Sequence, residues 1–277
     1  KRRPLIVQIR KMADVENPQR QQDEREAFIA RDTDNLLGNE ADKSSKGEPE
    51  DPINMLAGKD VEDRLGFIRK VYAILSVMLT FTFGCIAMTK SVADLNDWIR
   101  DQWTLALVAA LLTIPVLITL FCFIKVARTV PINFILLSMV TGLETFVLMF
   151  ITSRYTEASI VVAAGMTLAV TIALTIYAFN TDTDFTAMTS AIITISIVAF
   201  MMSLAYIFIP SKSPWSHVLA AGFVLIYSFY LVWHTQLIAG GRKEELTLDD
   251  YVIGAVILYL DIMYMFVYIL KLVGSEA

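Results

Sequence analysis

The sequence predicts an all-α membrane protein: a bundle of seven transmembrane helices with the seventh at its centre. Three observations carry this. The 277 residues are 56% apolar with a mean hydropathy of +0.57, well beyond an ordinary soluble domain. Charge is uneven: residues 1–66 hold 12 of the 23 Lys and Arg and 15 of the 28 Asp and Glu. The rest of the chain contains seven apolar stretches, each close to the ~20 residues that cross a bilayer as a helix.

Residues 1–60 read as a polar cytoplasmic tail. They are rich in charge, Asn and Gln and short of aromatics, so they cannot bury a core and are expected to be disordered. The opening "KRRPLIVQIRKM" has five basic residues and no acid. It reads either as an extension upstream of a natural start at Met12 or as the remains of a targeting peptide.

The transmembrane domain covers 61–274, with spans at about 67–89, 103–125, 131–152, 158–180, 186–209, 216–238 and 251–273. Short connections force neighbouring helices to be antiparallel. Pro131 suits a first helical turn, where its missing N–H is no loss. Pro115 is expected to kink span two. Pro210 and Pro214 bracket the turn after span five. "TLDD", Thr247 to Asp250, reads as a capping box that starts the last helix near Leu248. Span seven is apolar nearly all round, as expected of a helix surrounded by protein, so Val252, Ala255, Leu258 and Asp261 should be buried.

Orientation follows from basic residues at the helix ends. A cytoplasmic N-terminus places Lys59, Arg64, Arg69, Lys70, Lys125, Arg128, Arg242 and Lys243 inside, and Lys90, Arg100, Arg154, Lys212 and Lys271 outside. That distribution favours the cytoplasmic N-terminus.

Several function classes find no support. The net charge of −5 and the lack of a basic patch argue against nucleic acid. Cys85 and Cys122 lie in apolar runs without clustered partners and read as buried free thiols. There is no Gly-rich phosphate loop, no Cys-x-x-Cys, no His-Glu-x-x-His and no nucleophile–base pair, so neither an enzyme nor a cofactor is expected. The aromatics and methionines of "YLDIMYMFVYIL" and "AFMMSLAY" read as packing.

Three ionisable side chains lie deep. Glu144 is about 13 residues into span three, Asp261 about 13 past Leu248, and His234 is in span six, within "LVWHTQLIAGG". At 1.5 Å per residue the two acids are roughly 20 Å into their helices. A charge there costs on the order of 3 kcal/mol on insertion scales, so such groups face the bundle, pair, or line a wet path. One such residue reads equally well as a structural lock between helices; three in one small bundle favour an ion or proton path.

Four motifs bear on identity: "FIRKVYAILSVMLTFTFG", "ARTVPINFILLSMVTGLETFVLMFIT", "AFNTDTDFT" and "HTQLIAGGRKEELTLDDYVIGAVILYLDIMYMFVYILKLVG". In this order they resemble the transmembrane Bax inhibitor motif family, Lifeguard branch, over about 61–274. The resemblance implies an intracellular membrane, endoplasmic reticulum or Golgi first and the mitochondrial inner membrane second. It also implies a pH-sensitive calcium leak and suppression of cell death. Its characteristic site is a pair of aspartates on spans six and seven that share a proton. The second maps to Asp261; the first belongs to an Asp-Thr-Gln motif that here reads His-Thr-Gln, with His234. Lys125 and Arg128 match the basic residues that pair with the aspartates in some members.

The histidine changes the chemistry. Two close carboxylates cannot both ionise cheaply, which makes a pH switch. A histidine opposite an aspartate inverts the coupling: each favours the other's charged form while burial opposes both. An unperturbed imidazole titrates near 6.5, so a pH response survives by another route. Calcium prefers oxygen ligands, so the replacement weakens the expected leak. Asp261 remains a candidate transient calcium contact, with Ca2+ the candidate transported ion. The competing expectation is a non-conducting regulator or scaffold acting through membrane protein partners in cell-death or calcium signalling, with the pair as a structural lock.

Overall fold

The structure is a computed structural model that describes residues 52–206, 213–243 and 245–275. Its contacts separate residues 1–56 from 57–277. The tail expected to be disordered falls, over 1–51, outside the described residues. Residues 52–60, counted with that tail, are helical. Pro52 opens this helix where a missing N–H is harmless, and Met55, Leu56 and Ala57 propagate it.

All regular structure among the described residues is helical. The helices are α1 (Pro52–Ser91), α2 (Ala93–Asp101), α3 (Trp103–Cys122), α4 (Ile124–Ala127), α5 (Ile132–Thr152), α6 (Glu157–Asn180), α7 (Thr189–Tyr206), α8 (Pro214–Ala239) and α9 (Tyr251–Val273). A 3-10 turn, Phe185–Met188, precedes α7. Six helices are long and apolar enough to cross a membrane: the Val61–Ser91 part of α1, α3, α5, α6, α8 and α9. The expected fifth span is represented by α7, whose apolar run with described side chains, Phe185–Ala199, is shorter than a crossing requires.

Three local expectations need correction, and one connection adds a helix of its own. Span two does not reach residue 125: α3 runs through Pro115 and stops at Cys122, because Phe123 leaves the helical region at φ −105°, ψ 71°. The last helix begins at Tyr251, not near Leu248, although the Asp250 carboxylate accepts from the Thr247 N–H at 3.3 Å as a capping box requires. That carboxylate also accepts from the Thr247 hydroxyl at 2.6 Å and from Arg128, which holds 247–250 as a turn. The 92–102 connection contains α2, which buries Ile99. Both cysteines are free, but Cys85 is half-buried and Cys122 exposed, because Cys122 ends α3 on its outward face.

Burial divides the helices. In α9, 72% of the apolar window is buried within the protein, against 22–33% in the other five spans. Val252, Ala255, Leu258 and Asp261 are all buried. The outward faces of the others carry large apolar side chains such as Val77, Val161 and Leu225, a surface suited to lipid. Inside, the Thr82 hydroxyl lies 2.9 Å from both Thr145 and Tyr259, joining α1, α5 and α9 through a buried hydroxyl cluster. Such bonds are satisfied where hydrocarbon offers no alternative.

Candidate functional site

The site grows from the pairing of α8 with α9. Their connection, 240–250, is short, so the helices run antiparallel and the end of α8 lies beside the first half of α9. His234 is five residues before the α8 terminus and Asp261 ten after the α9 start. The structure brings the two together: His234 Nδ1 and Asp261 Oδ2 are 2.5 Å apart, with both side chains mostly buried. Trp233 stacks beside the imidazole at 4.7 Å and Tyr230 lies 6.1 Å from it, ring centre to ring centre. In such low-dielectric surroundings a hydrogen bond is electrostatically stronger than in water.

Glu144 is buried too, on α5, and accepts a hydrogen bond from the Tyr264 hydroxyl at 3.3 Å. Tyr264 is one turn beyond Asp261 on α9, so the second deep carboxyl is near the pair but separated from it by a tyrosine.

The two basic residues sit elsewhere. Lys125 is exposed on α4. Arg128 grips Asp250 through Nε at 2.7 Å and Nη2 at 2.9 Å, and reaches the Thr247 hydroxyl at 2.8 Å. It therefore fastens the α4 end to the start of α9, eleven residues before Asp261. Burial alone would raise the Asp250 pKa, but the hydrogen bonds from Arg128 and Thr247 outweigh it and hold the group below the usual carboxylate range. A depressed native pKa contributes stability above the unfolded value of about 3.9, lost as pH falls through the native value. Thermal unfolding of the wild type should therefore weaken below about pH 4 more steeply than that of Asp250→Asn, which should already be less stable at neutral pH; parallel curves would remove Arg128–Asp250 from the account.

Sequence reasoning missed two residues. Gln236 follows His234 by two and faces the loop after α6: its Oε1 accepts from the Phe185 N–H at 2.9 Å and its Nε2 donates to the Thr183 carbonyl at 2.9 Å. Arg64, used above only as a charge, donates to the carbonyls of Leu237, Ala239 and Leu246 at 3.0, 3.1 and 2.6 Å. These include orphan carbonyls at the C-terminus of α8, which a buried helix end must satisfy. A burial pattern could have flagged Gln236, since an amide in an apolar helix needs partners; nothing local could have placed Arg64, whose targets are more than 170 residues away. Among the described residues no group of three or more His, Cys, Asp or Glu is arranged to hold a metal ion.

Comparisons with known proteins agree with the motifs. The family model described as "Inhibitor of apoptosis-promoting Bax1" matches residues 64–277. The chain is 32% identical to "Protein lifeguard 3" of Mus musculus over 220 residues, 78% of this chain and 71% of that protein. It is 31% identical to the Homo sapiens protein of the same name over the same shares. It is 28% identical over 219 residues to "Protein LIFEGUARD 1" of Arabidopsis thaliana, 77% of this chain and 91% of that one. With a profile match across three quarters of its length, this multi-pass chain belongs to the Bax inhibitor/Lifeguard family of membrane proteins.

Proposed function

We propose that the protein is a proton-sensitive ion leak of an intracellular membrane, endoplasmic reticulum or Golgi, with calcium as the candidate ion. Through that leak it restrains cell death. The full arrangement is seven helices with the last at the centre and the N-terminus in the cytoplasm. The observation that carries the reading is the buried contact of His234 with Asp261 across α8 and α9. A buried acid–base couple between two helices is a place where one proton changes both local charge and helix packing. The family description, "Inhibitor of apoptosis-promoting Bax1", and the relatives' name, lifeguard, support the cellular role.

The chemistry of the pair sets the conductance. At an effective dielectric of ~20, unit charges 4 Å apart attract by about 4 kcal/mol, similar in size to the penalty of burying them. Attraction and burial therefore nearly cancel, and the pair gains or loses little by holding its shared proton on the imidazole or on the carboxyl. It offers one carboxylate fewer than an Asp–Asp pair, and calcium coordinates oxygen. The wild-type calcium leak is accordingly weak.

Calcium flux into dye-loaded liposomes across about pH 5 to 8 tests this. His234→Asp should raise the leak roughly tenfold, a barrier change of about 1.4 kcal/mol, and give it a carboxylate-type pH response. Asp261→Asn in that background should abolish it. A strong wild-type leak that His234→Asp leaves unchanged would refute the role of the pair. No leak in any variant favours the second reading, a non-conducting regulator or scaffold working through protein partners. One observation supports that reading: Asp261 is almost wholly buried and closed off by His234, as a structural lock would be.

A further inference from the structure

A cavity of about 390 Å³ lies between α5 and α9. Its walls are two matched helical stripes, Val147, Leu148 and Ile151 on one side and Val267, Tyr268 and Lys271 on the other. All lie on the C-terminal side of Glu144 and Tyr264, which also line it. From Ile151 back to Glu144 is two helical turns, roughly 10 Å. The cavity therefore runs from the membrane face at the C-terminal ends of α5 and α9 inward to a carboxyl group.

Beyond Glu144 the polar groups continue. Tyr264 donates to Glu144 at 3.3 Å. The Tyr264 ring lies 5.3 Å from Tyr227 on α8, Tyr227 lies 6.0 Å from Tyr230, and Tyr230 lies 6.1 Å from His234. Tyr227, Tyr230 and His234 are spaced i, i+3, i+7, as are Asp261, Tyr264 and Tyr268, so each trio shares one face of its helix. The facing stripes of α8 and α9 form a file of hydroxyl groups in hydrocarbon-depth packing, ending on the pair.

We propose that Glu144, Tyr264 and Tyr227 connect this cavity to the His234–Asp261 pair, so that the pair takes up protons from the membrane face at the C-terminal ends of α5 and α9. The proposal rests on the reading of the pair as proton-sensitive and adds the side from which it is loaded. The Tyr264 hydroxyl, which donates to Glu144 at rest, turns toward Tyr227; protonated Glu144 then gives its proton to the Tyr264 oxygen as Tyr264 passes its own on, and Tyr227 relays one to the pair. The tyrosines end neutral, Glu144 takes a new proton from the cavity, and the net transfer is one proton from the cavity to the pair. The Glu144–Tyr264 step is a direct contact at 3.3 Å; the steps between the packed rings use bridging water.

The groups that face this file are few. α5 presents Glu144; α9 presents Asp261, Tyr264, Tyr268 and, at the mouth, Lys271. α8 presents Tyr227, Tyr230 and His234, and the turn after α5 presents Tyr155. From α7, the Ser196 hydroxyl lies 2.6 Å from that of Tyr230. On α6, Tyr177 packs on Phe185 instead, and on α1, Thr82 bonds Tyr259. Toward the C-terminus of α8, Arg64 donates to the carbonyls of Leu237 and Ala239 and to that of Leu246 in the connection.

Two measurements on the full chain, reconstituted in one orientation in phosphatidylcholine–phosphatidylglycerol vesicles, test this. First, Val147→Cys with Cys85→Ala and Cys122→Ala should react with membrane-impermeant thiosulfonate reagents from one face only, while lipid-facing Leu168→Cys stays unmodified. Second, the pH response of flux should follow pH jumps on that same face. Tyr264→Phe should slow this response at least roughly tenfold, while Tyr177→Phe, on α6 and outside the file, leaves it near wild type. No labelling at position 147 overturns the route whether or not flux is detected. So does a pH response driven from the opposite face or untouched by Tyr264→Phe. Flux without any pH response refutes the proton-sensitive pair itself, and with it this route.

Discussion

His234→Leu is expected to be among the most destabilising single substitutions in the membrane domain. It leaves the Asp261 carboxyl buried with its 2.5 Å partner gone. Removing one member of a buried ion pair typically costs 3–5 kcal/mol, because the remaining charge is neither solvated nor paired. The double variant His234→Leu/Asp261→Leu should recover most of the loss. Replacing both partners with apolar side chains of similar volume is often neutral or better, and α9 around Asp261 is already lined by Leu258, Ile262 and Met265. Equilibrium unfolding in mild detergent of the two single variants and the double gives the coupling energy. A His234→Leu loss below about 1 kcal/mol, or a double variant worse than either single, would show that the pair contributes no mutual stabilisation.

The second large effect is at the turn leaving α8. Gly240 has φ 74° and ψ −173°, a region that L residues almost never occupy. A Cβ there would also come within 2.4 Å of the Arg64 guanidinium. Arg64 cannot simply swing aside, since its three hydrogen bonds tie the end of α8, at Leu237 and Ala239, to Leu246 in the connection. Gly240→Ala should therefore combine about 1–3 kcal/mol of backbone strain with loss of part of the Arg64 clamp. Arg64→Ala should be destabilising alone, and the two should be markedly less than additive, because each removes the same contacts. The neighbouring Gly241, φ 70°, has open space around its would-be Cβ, so Gly241→Asn should be nearly tolerated. Equal losses at 240 and 241 would show that backbone conformation alone, and not the Arg64 contact, governs this turn.

The sequence alone determined the helical membrane class, the approximate position of most spans and the family. All three rest on local regularities: runs of about 20 apolar residues, and motifs read in order. It also singled out His234, Asp261 and Glu144, because an ionisable group in an apolar run stands out without any structure. It misplaced the end of span two and the start of the last helix, where the outcome depends on a backbone break at Phe123 and on Arg128 capturing Asp250 across 122 positions. Only the tertiary structure decided who meets whom. That His234 touches Asp261, that Glu144 meets Tyr264, that Gln236 holds the loop after α6 and that Arg64 caps α8 all follow from how helices pack in three dimensions. Hydropathy is a property of each residue and survives in one dimension. Pairing is a property of depth, helix rotation and antiparallel register together, and small changes in any of these would bring a different partner opposite His234.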